Sequence, residues 1–198
     1  PFEFYFELNK TDLEEYSSMD FVVRKEELQN IVQEYEFDAS KLDLREIEKQ
    51  IFNLINEQRR SYKRAGIKEL EWSERLSEIA RAHSEDMLNK QYFSHKTIED
   101  LETLEGKEFT ERLKEKGLFF ITADEIIAWE FVNSTTDIAK EALNLWLESP
   151  SHRSSVLDVD NIFSHLGVGI ACAKDFCIIT ADFVKLRQEG ETSLSPII

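Results

Sequence analysis

The order in which the apolar spacing changes along the chain limits its fold more than any other feature. Asp43, with Glu46 three residues later, makes a capping-box-like helix start. Ile47, Ile51, Leu54, Ile55 and Gln58 follow at helical spacing, and Gly66 stops the run. A second helix spans 73 to 90, with Leu76, Ile79, Ala80, His83 and Met87 along one stripe. A third, short helix over 108–116 ends at Gly117, and residues 118–132 are rich in β-formers. A fourth helix begins near Ser134 to Thr136 and carries Ile138, Ala142, Leu145 and Trp146. Ser149-Pro150 then restarts a turn, with Ser as N-cap and Pro at the first helical position. Leu166 to Ala173 and Cys177 to Val184 read as a terminal hairpin. Helices, strand, helix and hairpin in that order exclude a regular βαβ alternation. They predict an α+β fold in which helices cover an antiparallel sheet.

The 198 residues suit one domain over 43–187, preceded by an extension over 1–42 and followed by a tail over 188–198. The extension is acidic: the first 50 residues hold 14 acidic and 6 basic side chains, half of the net −16. Phe2, Phe4, Phe6 and Leu8 alternate with polar residues and Tyr5 as a strand would, and 24–36 reads as a short helix. A net charge of −16 argues against nucleic acid or an anionic membrane as partner. No apolar run approaches the roughly 18 residues that span a bilayer. The chain opens at Pro1 without Met, so the lack of a leader carries no weight. Asn9-Lys10-Thr11 and Asn133-Ser134-Thr135 fit the glycosylation sequon, a triplet common by chance.

Cys172 and Cys177 flank a short turn between β-rich segments, which suggests a hairpin with the two side chains face to face. A disulfide can form there and implies an oxidising compartment; the alternative is two reduced, half-buried thiols. The spacing matches neither a zinc site nor a CxxC redox motif.

Of the four histidines, His83 lies on an apolar helix stripe and reads as a hydrogen-bonded core residue rather than a ligand. His165 starts a strand and reads as surface or strand-edge. His95 closes Tyr92-Phe93-Ser94-His95 just past a helix, and His152 takes the third position of the turn that Ser149-Pro150 opens. Both sit at element ends, where side chains reach clefts. Two neutral imidazoles meeting there beside carboxylates suit a divalent metal, with water in the open positions. Spacing alone does not establish that they meet.

Several runs together resemble the bacterial and archaeal branch of the CAP superfamily (cysteine-rich secretory proteins, antigen 5, pathogenesis-related proteins). They are Leu70-Glu71-Trp72, the run from Ile79 to Met87, Tyr92-Phe93-Ser94-His95, Glu111-Arg112-Leu113 with Gly117, the run from Trp146 to Arg153, and Leu166-Gly167-Val168-Gly169. The resemblance covers about 46–185. It implies an α-β-α sandwich with a central cleft of two histidines and two acids. By motif position these are His95, His152 and Glu125, with the second acid at Glu148 to within one residue. Asp124-Glu125-Ile126-Ile127-Ala128 stands where the family usually reads Gly-Glu-Asn-Ile-Ala, so Ile126 replaces an Asn that would orient a loop. If Asp124 and Glu125 both point inward, one carboxyl is raised.

The resemblance implies a secreted or cell-surface binding module for a protein, lipid or cell-wall ligand, with a His/Glu cleft able to hold a divalent metal, zinc foremost. One alternative is a metal-assisted hydrolase, peptidase or esterase, with Glu125 as general base. Ser94 and Ser151 adjoin the histidines, where adjacent residues seldom align for proton transfer, and no oxyanion-hole motif accompanies them. A second alternative is a lipid or sterol carrier with Leu118-Phe119-Phe120-Ile121 lining a groove; the simpler reading of that stretch is a core strand.

Overall fold

The computed structural model describes residues 37–63, 66–100, 102–103 and 105–187, together with a strand at Tyr5–Phe6 (β1). The helix expected over 24–36, the tail 188–198 and the Asn9 sequon lie outside the described residues. Helix α1 (Leu44–Ser61) starts where Asp43 Oδ1 accepts from the Glu46 N–H at 3.1 Å, and it ends before Gly66 is reached. Helix α2 (Glu74–Lys90) is capped by Ser73 and closed by Gln91 in the left-handed region at φ 62°. Strand β3 (Tyr92–Phe93) follows and pairs in parallel with β1. Helix α3 (Phe109–Glu115) falls where the sequence places it. Helix α4 (Ile138–Glu148) starts later than the Ser134 to Thr136 expected, because Asp137 supplies the cap, accepting from the Lys140 N–H. Leu145, expected on its apolar stripe, is exposed. Helix α5 (Pro150–Leu157) carries Pro at its first turn, but the Ser149 hydroxyl meets Ser151 Oγ at 3.0 Å instead of capping the helix. A small hairpin of β4 (Thr97–Asp100) and β5 (Glu105–Lys107) is too short to show as a sequence period.

The central sheet holds β2 (Glu71–Trp72), β6 (Phe120–Phe131), β7 (His165–Ala173) and β8 (Phe176–Leu186) in the order β2-β7-β8-β6. Its three long strands are antiparallel, as predicted. The two-residue β2 adds to β7 in parallel, so the whole sheet is mixed. Cys172 and Cys177 are direct partners across the β7–β8 hairpin and form a disulfide.

Alternation along the strands separates two layers. On one face α1, α4 and α5 bury Ile51, Ile55, Ala142, Trp146 and Val156 against Ile126, Val168, Ile170, Ile179 and Phe183. On the other face α2 supplies Met87 and Leu88 to one apolar cluster and Leu76 and Ile79 to a second, which α3 joins through Phe109 and Leu113. Buried polar groups occupy the strip between these clusters: His83, Ser84, Glu125, Thr180 and Asp182. Helix α2 lies directly on β7 because two positions lack a side chain. A Cβ on Gly167 would stand 2.3 Å from Leu76 Cβ, and one on Gly169 would stand 1.9 Å from the Arg81 backbone nitrogen. No helix among the described residues is long and apolar enough to cross a membrane.

Candidate functional site

Strand β6 is one edge of the sheet, and the candidate residues gather along it from both layers. Glu125 points to the α2 face, in the same row as Asp182, its direct partner on β8. Asp124, its neighbour, points to the opposite face and accepts a short hydrogen bond from Ser155 Oγ of α5. The two carboxyls therefore do not both point inward. Residues 124–126 are also strand rather than loop. Ile126 fills the main core on the face away from Glu125, so the position where the family has Asn does apolar packing here.

His95 Nδ1 lies 2.9 Å from Glu125 Oε1. Arg112 of α3 bonds Glu125 Oε2 through Nη2, while its Nη1 donates to the His95 carbonyl at 2.7 Å and to Thr97 Oγ1 at 3.4 Å. Burial on its own would raise the Glu125 carboxyl. The His83 ring, the His95 hydrogen bond and the Arg112 guanidinium outweigh burial and hold it well below the usual carboxylate range. An ionised carboxylate only accepts, so His95 donates through Nδ1–H. Burial lowers His83 itself to about 4 and leaves it uncharged at neutral pH, so the His95 hydrogen bond and then the Arg112 guanidinium carry the effect there. His83 is the buried core residue the sequence suggests: its Nε2–H donates to the Ser94 carbonyl at 2.9 Å. It also stands 4.0 Å from Glu125 Oε1.

Asp182 completes the buried floor. Both of its oxygens lack a hydrogen-bond partner unless a proton lies between it and Glu125. Burial, and then the Glu125 charge, raise its carboxyl well above the ordinary value. One guanidinium faces two carboxyls, so Glu125 is ionised and Asp182 keeps its proton.

His152 lies in the first turn of α5 and is buried. Burial and then the charge of His95 lower its pKa to about 4, against the pull of Asp124. His95, bonded to Glu125 on the α2 face, thus acts on His152 of α5 in the other layer. Glu148 ends α4 with its side chain exposed, and the acid electrostatically coupled to His152 is Asp124. His165 sits away from this group, with Nε2 3.5 Å from Glu71 Oε2 beside β2. Among the described residues no three His, Cys, Asp or Glu side chains are arranged to hold a metal ion.

Arg112 and Asp182 are the site residues that sequence reading missed. Arg112 stands within a recognised motif, but nothing there signals its burial, and Asp182 lies in a strand otherwise read for its apolar pattern.

The sequence profile of the cysteine-rich secretory protein family matches residues 52–183. Two Bacillus subtilis relatives are similar in sequence. One, named uncharacterized membrane protein YlbC, is 35% identical over 138 residues, 70% of this chain and 34% of its own length. The other, named uncharacterized protein YkwD, is 34% identical over 122 residues, 62% of this chain and 41% of its own. The chain therefore spans well under half of either relative. An extracellular protein containing a SCP domain from Bacillus anthracis superposes with a TM-score of 0.58 at 29% identity, over 74% of this chain and 42% of that one. An outer surface protein from Borrelia burgdorferi superposes at 0.59 with 20% identity, over 74% of this chain and 97% of its own, a likeness of fold. A matched profile over most of the sandwich and these structural neighbours agree: this chain belongs to the cysteine-rich secretory protein (CAP) family.

Proposed function

We propose that this chain is a secreted or cell-surface binding domain, and that its ligand seat is the cleft along the β6 edge formed by His95, His152 and the Arg112–Glu125 pair. The engagement of Glu125 is the observation that carries this reading. Its side chain is 2% exposed, and both oxygens are committed to other residues. A general base needs a free oxygen and a pKa near the working pH, and Glu125 has neither. A binding role asks only for a rigid, preorganised wall, which this network supplies.

The disulfide suits an oxidising compartment, and the extracellular Bacillus anthracis protein supports the same placement. A divalent ion at this cleft, zinc included, would find the imidazoles of His95 and His152, with both oxygens of Glu125 already engaged. The residues present do not fit a metal held through Glu125. The carrier reading keeps one favourable observation: Phe119 and Ile121 are 74% and 52% exposed, while Leu118 and Phe120 turn into the core.

The test incubates the purified chain with isolated cell-wall sacculi, with sterol-loaded vesicles, and with generic peptidase and esterase substrates. The expected result is retention on sacculi that falls at least fivefold in a His95→Ala/His152→Ala double variant, with no turnover. Turnover that disappears in the same variant overturns the reading in favour of a hydrolase. Vesicle binding that survives loss of both histidines overturns it in favour of a carrier.

A further inference from the structure

We propose that Arg112 supplies the fixed positive charge of this cleft where the resemblance implies a divalent metal, and that Glu125 is a positioning residue for His95 rather than a metal ligand. This does not depend on which ligand the cleft binds. The carboxylate has two oxygens and both are used. Oε1 receives the His95 Nδ1–H at 2.9 Å, and Oε2 receives Arg112 Nη2. A metal at about 2.0–2.2 Å from either oxygen would have to displace one of these donors or crowd in beside it on a carboxylate that is 2% exposed. Displacing Arg112 would strand a guanidinium whose side chain is only 11% exposed. Keeping it would set a dication beside a buried cation at low effective dielectric.

The guanidinium also serves a geometric purpose. Nη1 holds the His95 carbonyl at 2.7 Å, while Nη2 holds the carboxylate that receives the His95 ring. One planar fork thereby fixes both the backbone and the imidazole of His95, a task a lysine ammonium could not perform. Bonding at Nδ1 also sets the tautomer, as a carboxylate behind a histidine does in many sites.

The test is calorimetric titration of the whole chain with zinc chloride, with the fold of each variant verified by circular dichroism. Glu125→Gln is expected to leave zinc affinity within twofold of the parent. Arg112→Met, which frees the carboxylate, is expected to raise it at least tenfold, and the Arg112→Met/Glu125→Gln double variant to lose that gain. A tenfold or greater loss in Glu125→Gln overturns the proposal. Arg112→Met can fail to fold because it leaves Glu125 buried without its partner. The nitrogen-15 resonances of His95 in the parent then decide the matter. An Nδ1 that stays protonated and unshifted at saturating zinc is the expected result, and an Nδ1 signal displaced by zinc overturns the proposal.

Discussion

Glu130 shows how little a side chain's type says about its setting. It lies on β6, in the row that ends at the disulfide, and is 8% exposed with Oε1 unpartnered. Burial, then the charges of Glu141 and Asp137, push its carboxyl up to about 8. The folded chain therefore holds this proton at a pH where the unfolded chain has released it. The contribution is full below the unfolded value of about 4.5 and is lost as pH rises toward 8. Between pH 5 and 9 the parent is expected to lose on the order of 2 kcal/mol more unfolding free energy than Glu130→Gln, screening included. Urea melts of both proteins across that range check it, and parallel curves would contradict it. At this scale the sequence marks His95 and Glu125 by motif, and His83 by its apolar stripe. It is silent on Glu130, Asp182 and Arg112, because acidic and basic residues are assigned to solvent unless a partner is known.

The pairing of helix α2 with strand β7 depends on two glycines. Ser77 Oγ accepts from the Val168 N–H at 3.1 Å, and Ser84 Oγ donates to the Gly169 carbonyl at 3.1 Å, so the helix lies in direct contact with the strand backbone. In Gly169→Ala the new methyl would overlap the Arg81 main chain, which cannot turn aside as a side chain can. The expected cost is about 3 kcal/mol or more, with the helix displaced. Thermal melting checks this, and a change under about 1 kcal/mol would mean that α2 can lift off the sheet cheaply. Helix and strand identities are legible because each element carries its own period over enough residues. The β4–β5 hairpin is not, since three or four residues are too few to establish a period.

Across the whole molecule, the two helical layers are joined around the open edge of β7. Glu48 of α1 accepts from Arg81 of α2 at Nε, 2.8 Å, and Nη2, 2.6 Å, and takes the Ile170 N–H of β7 at 3.2 Å. A side chain thus occupies a backbone donor that a further strand would otherwise fill. Arg59, fully buried, similarly holds the Val156 and Leu157 carbonyls at 3.1 Å and ties α1 to the helix bearing His152. Glu48→Ala is expected to cost about 3–5 kcal/mol, because it leaves Arg81 buried without its partner. The Glu48→Ala/Arg81→Met double variant is expected to cost less than Glu48→Ala alone. A double-mutant cycle by chemical denaturation measures the coupling, and additive single costs would show that the bidentate pair is not the tie.

The sequence by itself determined the longer helices and strands, their order, the terminal hairpin with its facing cysteines, and the motifs that identify the family. These are written in local periods and short spacings that the backbone must obey whatever surrounds it. Only the tertiary structure decided which charged residues go inside. Arg112 reaches Glu125 because α3 packs beside the sheet, Asp182 lies beneath it because β8 runs antiparallel to β6, and Asp124 turns away because strands alternate. Burial of a charge depends on partners distant in the chain, and one-dimensional spacing does not record them.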